Sequence, residues 1–160
     1  MKVWKKILGI GLAVGLSVGM SIMPVYADTI SILDEITDEE TTEDCAEDTS
    51  TILARSSYLH LGNVKIQRAA SNEIIIYGLT ECHKKCSKVY LSLYLERKVN
   101  GSYGTYKYWN FTANNVDELE KTIDVAVPSG TYYRVRGYHA ASNAGVKEST
   151  STLTSGIMVK

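Results

Sequence analysis

From Asp28 to Asp48 the chain carries ten acidic residues and not one lysine or arginine. Such a segment cannot neutralise its own charge. Its few apolar residues, Ile30, Ile32, Leu33 and Ile36, bury too little surface to offset the entropy lost on ordering. A self-sufficient folded unit is excluded there, and residues 28–50 are expected to form a disordered acidic arm. Other scarcities narrow the chemistry. Cys82, His83 and Cys86 make one odd cluster, even with His60 or His139 added, where structural zinc sites use two spaced ligand pairs. In Cys82-His83-Lys84-Lys85-Cys86 the histidine follows the first cysteine, not the second, which excludes a haem-attachment signature. No Gly-x-Ser-x-Gly elbow is present.

Acids outside the arm are also few: Glu73, Glu81, Glu96, Asp117, Glu118, Glu120, Asp124 and Glu148. They are scattered and fall mostly at strand ends or in loops, whereas sugar hydrolysis needs two carboxyls facing one cleft. His139 reads as a packed or rim residue at a strand end, and His60 sits blandly between Leu59 and Leu61. The expectation is no enzyme, no metal and no cofactor.

What is present begins with Lys2, Lys5 and Lys6 before the apolar run Ile7 to Ile22, then Met23-Pro24-Val25-Tyr26-Ala27. A charged start, an apolar centre and small or aliphatic residues before the cut describe a secretory signal peptide, residues 1–27. Gly11, Gly15 and Gly19 suit a packed membrane helix, but the run is short for a span and ends at Pro24. The expectation is therefore a secreted protein, free or loosely held on the envelope, that meets the membrane only through its signal. Beyond the arm, residues 49–160 carry a net charge of +6. The arm is read as a soluble spacer, as a tethered polyanion that folds back on the basic domain, or as a removable pro-segment.

Residues 51–160 suffice for one domain. Their apolar period is two: Val89, Leu91, Leu93 and Leu95 alternate with Tyr90, Ser92, Tyr94 and Glu96. Asn100-Gly101 predicts a hairpin into Thr105–Thr112. Val64–Arg68, Glu73–Leu79, Thr122–Val127, Thr131–Ala140 and Glu148–Val159 complete the strands, with a helical turn conceivable at Asn114–Leu119. About seven short strands predict an all-β fold, a single antiparallel β-sandwich.

Tyr133-Arg134-Val135-Arg136-Gly137, then Ala144-Gly145-Val146 and a Ser/Thr-rich last strand, resemble the final strands of immunoglobulin-like fibronectin type III domains. From that resemblance only strand order is carried over. Over Ile75 to Val159, Cys82-x-x-x-Cys86, Tyr94-Leu95-Glu96-Arg97, Asn100-Gly101, Trp109-x-Phe111 and Tyr132-Tyr133-Arg134-Val135-Arg136-Gly137-Tyr138-His139 are similar to an uncharacterised family of small secreted proteins from Gram-positive bacteria. That resemblance implies export and a compact domain of unknown function, with no catalytic residue to transfer.

Export permits disulfides. Cys82 and Cys86 are within reach of one another if the chain turns between them, which leaves Cys45 unpaired or bonded to another molecule. Type III strand order would put Tyr90, Tyr94, Tyr106, Tyr108, Tyr132, Arg134, Arg136 and Tyr138 on one outward face. Tyrosine offers an apolar ring with a hydroxyl, and arginine a planar fork for phosphate or carboxylate. The competing reading is cross-strand packing without a ligand. Nucleic acid is a poor partner for so modest a charge without a recognition motif. Two functions follow: a non-catalytic module binding a cell-wall polymer, glycan or protein ligand of envelope or host, and a released toxin-like or inhibitory factor restrained by its acidic arm.

Overall fold

The computed structural model describes residues 40–51 and 56–160. Residues 1–27, expected as a signal peptide, and residues 28–39 of the expected arm lie outside the described residues. Eight strands follow in order: β1 (Glu40–Thr41), β2 (Cys45–Thr51), β3 (Leu59–Ala70), β4 (Glu73–Val99), β5 (Ser102–Ala126), β6 (Thr131–Asn143), β7 (Val146–Leu153) and β8 (Gly156–Val159). There is no helix among the described residues, so the all-β expectation stands.

Two expected sheets are one. β4 and β5 are 27 and 25 residues long and pair antiparallel along most of their length, forming a hairpin spine that runs through both layers. Beside β4, its first half pairs with β3 and its second half with β6. The switch falls at the register shift between Glu81 and Cys86. There His83, Lys84 and Lys85 are exposed while Cys82 and Cys86 both point inward. A β-bulge of this kind bends a strand without ending it, so a segment that reads as a turn lies within one bent strand. The eight-stranded sheet is not purely antiparallel, because β1 joins β8 in parallel. It nearly closes into a barrel where β2 meets β7: Ser50 and Thr150 hydroxyls share a hydrogen bond at 2.6 Å, and Leu153 N donates to Asp48 Oδ2 at 2.7 Å.

The enclosed core joins Val64, Ile66, Ile74 and Ile76 from one layer with Val89, Leu91, Leu93, Leu95, Tyr133, Val135 and Ile157 from the other, all fully buried. Each such aliphatic side chain contributes about 1.5–3 kcal/mol by leaving water. The Asn100-Gly101 turn is formed as expected, with φ of 52° and 84°. Asn114–Leu119 is strand rather than a helical turn, with Asn115 at φ 57° relieving the run. The last expected strand is two, β7 and β8, separated at Thr154-Ser155.

The acidic arm requires a further correction. Residues 40–51 are not disordered, because their charges find partners that are remote in sequence. Glu40 pairs with Lys98, and Asp44 with Arg68. Asn63 Nδ2 donates to Glu47 Oε1 at 2.7 Å, and β2 forms a full ladder with β3 from Cys45 to Thr51. Cross-strand hydrogen bonds and opposite charges supply what the segment lacks by itself.

Candidate binding face

The outward side chains of the second half of β4 stand between those of β5 and β6. Tyr94 lies opposite Tyr108 on one side and Arg136 on the other, and Glu96 lies opposite Arg134. Strand alternation places Tyr90, Tyr94, Tyr108, Tyr132, Arg134, Arg136 and Tyr138 on this face, as the sequence suggests. Tyr106 departs from it. A register shift between Leu95 and Glu96 turns its ring toward Tyr133 on the inner rim, with centroids 6.1 Å apart.

Glu96 organises the centre. Its two carboxylate oxygens accept from Arg134 Nε at 2.8 Å and Arg136 Nε at 2.9 Å. With both Nε groups held, the guanidinium planes lie against aromatic rings: Arg134 4.0 Å from the Tyr103 centroid and Arg136 4.5 Å from that of Tyr94, which stacks on Tyr108 at 6.3 Å. Lys147 caps Tyr90 and Tyr138 at 4.7 and 5.6 Å, and Lys98 approaches Tyr103 and Tyr132 at 5.5 and 5.9 Å. Each cation over a ring gains about 0.5–1 kcal/mol when exposed, and more when desolvated.

Exposure divides the face. Arg134 and Glu96 are buried, with side chains 4% and 9% exposed, whereas the Arg136 side chain is 29% exposed and Tyr108 is 64% exposed. The expected outward arginine pair is therefore one buried anchor and one accessible cation. Beside Arg134, Tyr103 accounts for that burial. Its phenol is held well above its ordinary range by burial and by Glu40, whose carboxylate accepts from the hydroxyl at 3.4 Å. The sequence reading overlooked Tyr103, Lys98, Glu96 and Lys147. The signal for the first two was present: a two-residue Asn100-Gly101 turn fixes Lys98 opposite Tyr103.

The remaining candidates are elsewhere. His139 is fully buried in the interior between Gly62 and Gly137. Its Nδ1 lies in hydrogen-bond contact with the Thr80 hydroxyl at 3.0 Å and its Nε2 with the Thr152 hydroxyl at 2.9 Å, while the Thr80 hydroxyl also reaches the Tyr90 carbonyl. Burial pushes the imidazole down to about 4, and the ring is neutral. Cys45, Cys82 and Cys86 are free thiols, so the expected Cys82–Cys86 bridge is not closed in the structure. The buried pair is nevertheless in contact. Cys86 Sγ donates to the Lys84 carbonyl at 3.3 Å, and burial together with Cys86 pushes the Cys82 thiol up to about 12. His60 and His83 meet edge to face at 4.7 Å, and no group of three metal-ligating side chains is assembled among the described residues. Glu148, one of the scattered acids, accepts from the Ser56 hydroxyl and from the consecutive amides of Ser57, Tyr58 and Leu59. Those bonds outweigh desolvation and hold its carboxyl down at about 2.

These features define an all-β protein with an aromatic and cationic outer face. The profile of a family of unknown function, DUF6147, matches residues 33–157, and the chain belongs to that family. Comparison with curated proteins gives no match. Among solved structures the chain is similar to chicken MD-1 complexed with lipid IVa, at 10% identity and a TM-score of 0.31, over 71% of this chain and 91% of that one.

Proposed function

We propose that the protein is an exported, non-catalytic binding module of a Gram-positive bacterium, and that its β4–β5–β6 face takes an anionic, hydroxyl-rich polymer of the cell envelope. The carrying observation is the stack of Arg136 on Tyr94 on Tyr108, open to solvent at Tyr108 and fixed from below by Glu96. Aromatic planes suit sugar rings, and a guanidinium with its Nε committed keeps its remaining donors for phosphate or carboxylate. The signal segment and the basic charge of residues 49–160 agree with that destination.

Binding to isolated cell walls tests the reading. Retention that weakens with added salt and is lost in Arg136→Ala and Tyr108→Ala supports it; salt-independent retention, or retention by both variants, rejects it. Arg134→Ala is unsuited to this purpose because Arg134 is buried.

A second reading, restraint by the acidic arm as in a released toxin-like or inhibitory factor, is favoured by one contact. Glu40 pairs with Lys98 and accepts from Tyr103 at the margin of the same face. Deleting residues 28–50 would remove most of β2, so Glu40→Gln is the cleaner test. Stronger wall retention or a newly acquired effect on cell growth supports restraint, and unchanged behaviour in both assays removes it.

A further inference from the structure

At the tip of the β4–β5 hairpin, beside the face and sharing Tyr103 with it, lies a cleft of about 360 Å³ lined by Arg97, Val99, Ser102, Tyr103, Gly104, Thr105 and Tyr106. The register shift between Leu95 and Glu96 creates it by turning Tyr106 away from the outer row. Arg97 Nε is buried without a hydrogen-bond partner, and no other side-chain nitrogen or oxygen among the described residues shares that condition. The guanidinium is not loose. It stands opposite Tyr133 across the β4–β6 ladder, where the Tyr133 hydroxyl donates to the Pro128 carbonyl at 2.8 Å, and it lies 5.6 Å from the Tyr106 centroid.

A buried donor left unpaired is costly, and native structures rarely retain one without a reason. Here it belongs to a fixed cation at the wall of an open cleft. The geometry points to a ligand site for a single carboxylate joined to a planar or apolar group. Nε itself is buried, so the carboxylate accepts from the part of the half-buried Arg97 guanidinium that lines the cleft, as a planar fork favours. Its body lies against the Tyr106 ring and Val99, both of which are exposed. A phosphate is less well matched, because Arg97 is the one cation of the lining, and Lys98 and Lys107, over the Tyr103 and Tyr106 rings at 5.5 and 5.4 Å, are engaged with Glu40 and the Ala126 carbonyl. Gly104 faces open space, with nothing within 4 Å of the position a Cβ would occupy, which leaves room for the ligand.

The test is an NMR titration of the full chain with benzoate and with N-acetylphenylalanine, each compared with its neutral amide. The acids should shift the amide signals of Ser102, Gly104 and Thr105 and bind roughly tenfold more tightly than the amides, as charge-assisted pairing predicts. Arg97→Met should erase the preference for acid. Gly104→Val should block binding with Arg97 in place while wall retention by the outer face persists, so the two sites fail separately. Binding of both acids assigns a free small acid as sufficient, and binding of N-acetylphenylalanine alone assigns the terminal carboxylate of a peptide. Equal binding of acids and amides, no shift with either acid, or an Arg97→Met variant that keeps its preference overturns the site.

Discussion

Arg134 and Arg136, two residues apart on one strand, share the carboxylate of Glu96 yet differ in burial, with side chains 4% and 29% exposed. Removing one therefore does not mimic removing the other. Loss of Arg134 leaves Tyr103 uncapped and half of Glu96 unpaired in a desolvated position, and Arg134→Ala should cost about 3 kcal/mol. Arg136→Ala should cost about 1 kcal/mol while abolishing wall retention. Denaturant melts of both variants beside the retention assay check this; equal destabilisation would sink it.

Acid should unfold the protein in two overlapping stages. His139 has a folded pKa of about 4 against an ordinary 6.5, so its neutral form stabilises the fold above pH 6.5 and that contribution declines as pH falls through 4. Glu148, at about 2 against an ordinary 4.5, adds a contribution present above pH 4.5 and lost as pH falls through 2. His139→Gln should flatten the upper stage and Glu148→Gln the lower, the latter at a cost of about 2 kcal/mol near neutrality. Stability measured against pH for the three proteins checks the assignment, and a shared, unchanged profile would refute it.

Packing around His139 allows no added atom. A Cβ at Gly62 would lie 2.3 Å from the imidazole, and one at Gly137 would lie 2.5 Å from it. Gly62→Ala should therefore destabilise by about 3 kcal/mol, the upper end for overpacking. The same substitution at Gly104, where nothing lies near, should be almost silent. Thermal melts of the pair decide the point.

Thiol reactivity should separate the cysteines. Cys45 is exposed, whereas Cys82 and Cys86 are buried and the Cys82 thiol is pushed up to about 12, which suppresses its thiolate. Iodoacetamide on the folded, reduced protein should label Cys45 alone, and unfolding should expose the other two. Native labelling of Cys82 would contradict the burial argument.

Much of this structure is legible in the chain. The alternation from Val89 to Leu95 and the Asn100-Gly101 turn follow from period two and turn chemistry alone, whereas bringing Tyr94, Tyr108 and Arg136 into one outward row also took the strand order of the type III resemblance. What escaped depends on partners distant in sequence. Nothing local at His83-Lys84-Lys85 distinguishes a turn from a bulge that lets β4 continue into the other layer. The order of residues 40–51 rests on Arg68, Lys98 and the β3 ladder, and no composition rule applied to the arm alone contains those. Tyr106 leaves the row through a single register shift, while Arg134 is covered by Tyr103. The first departs from strict alternation at a bulge, and the second keeps its place in the pleat but is covered by a ring from the neighbouring hairpin.

β5 is bonded along one side only: 22 of its 25 residues pair with β4, and no described strand pairs with the other side. A row of backbone donors and acceptors that long is a template for another chain. Asp117, Glu118, Glu120 and Asp124 lie along it in exposed positions, and the positive φ of Asn115 interrupts its line. Mutual repulsion between copies thus stands guard where no covering strand does. Replacing those four carboxylates by their amides removes the guard, so the Asp117→Asn, Glu118→Gln, Glu120→Gln, Asp124→Asn variant should pass from clear to fibrillar in concentrated solution where the unaltered chain stays clear.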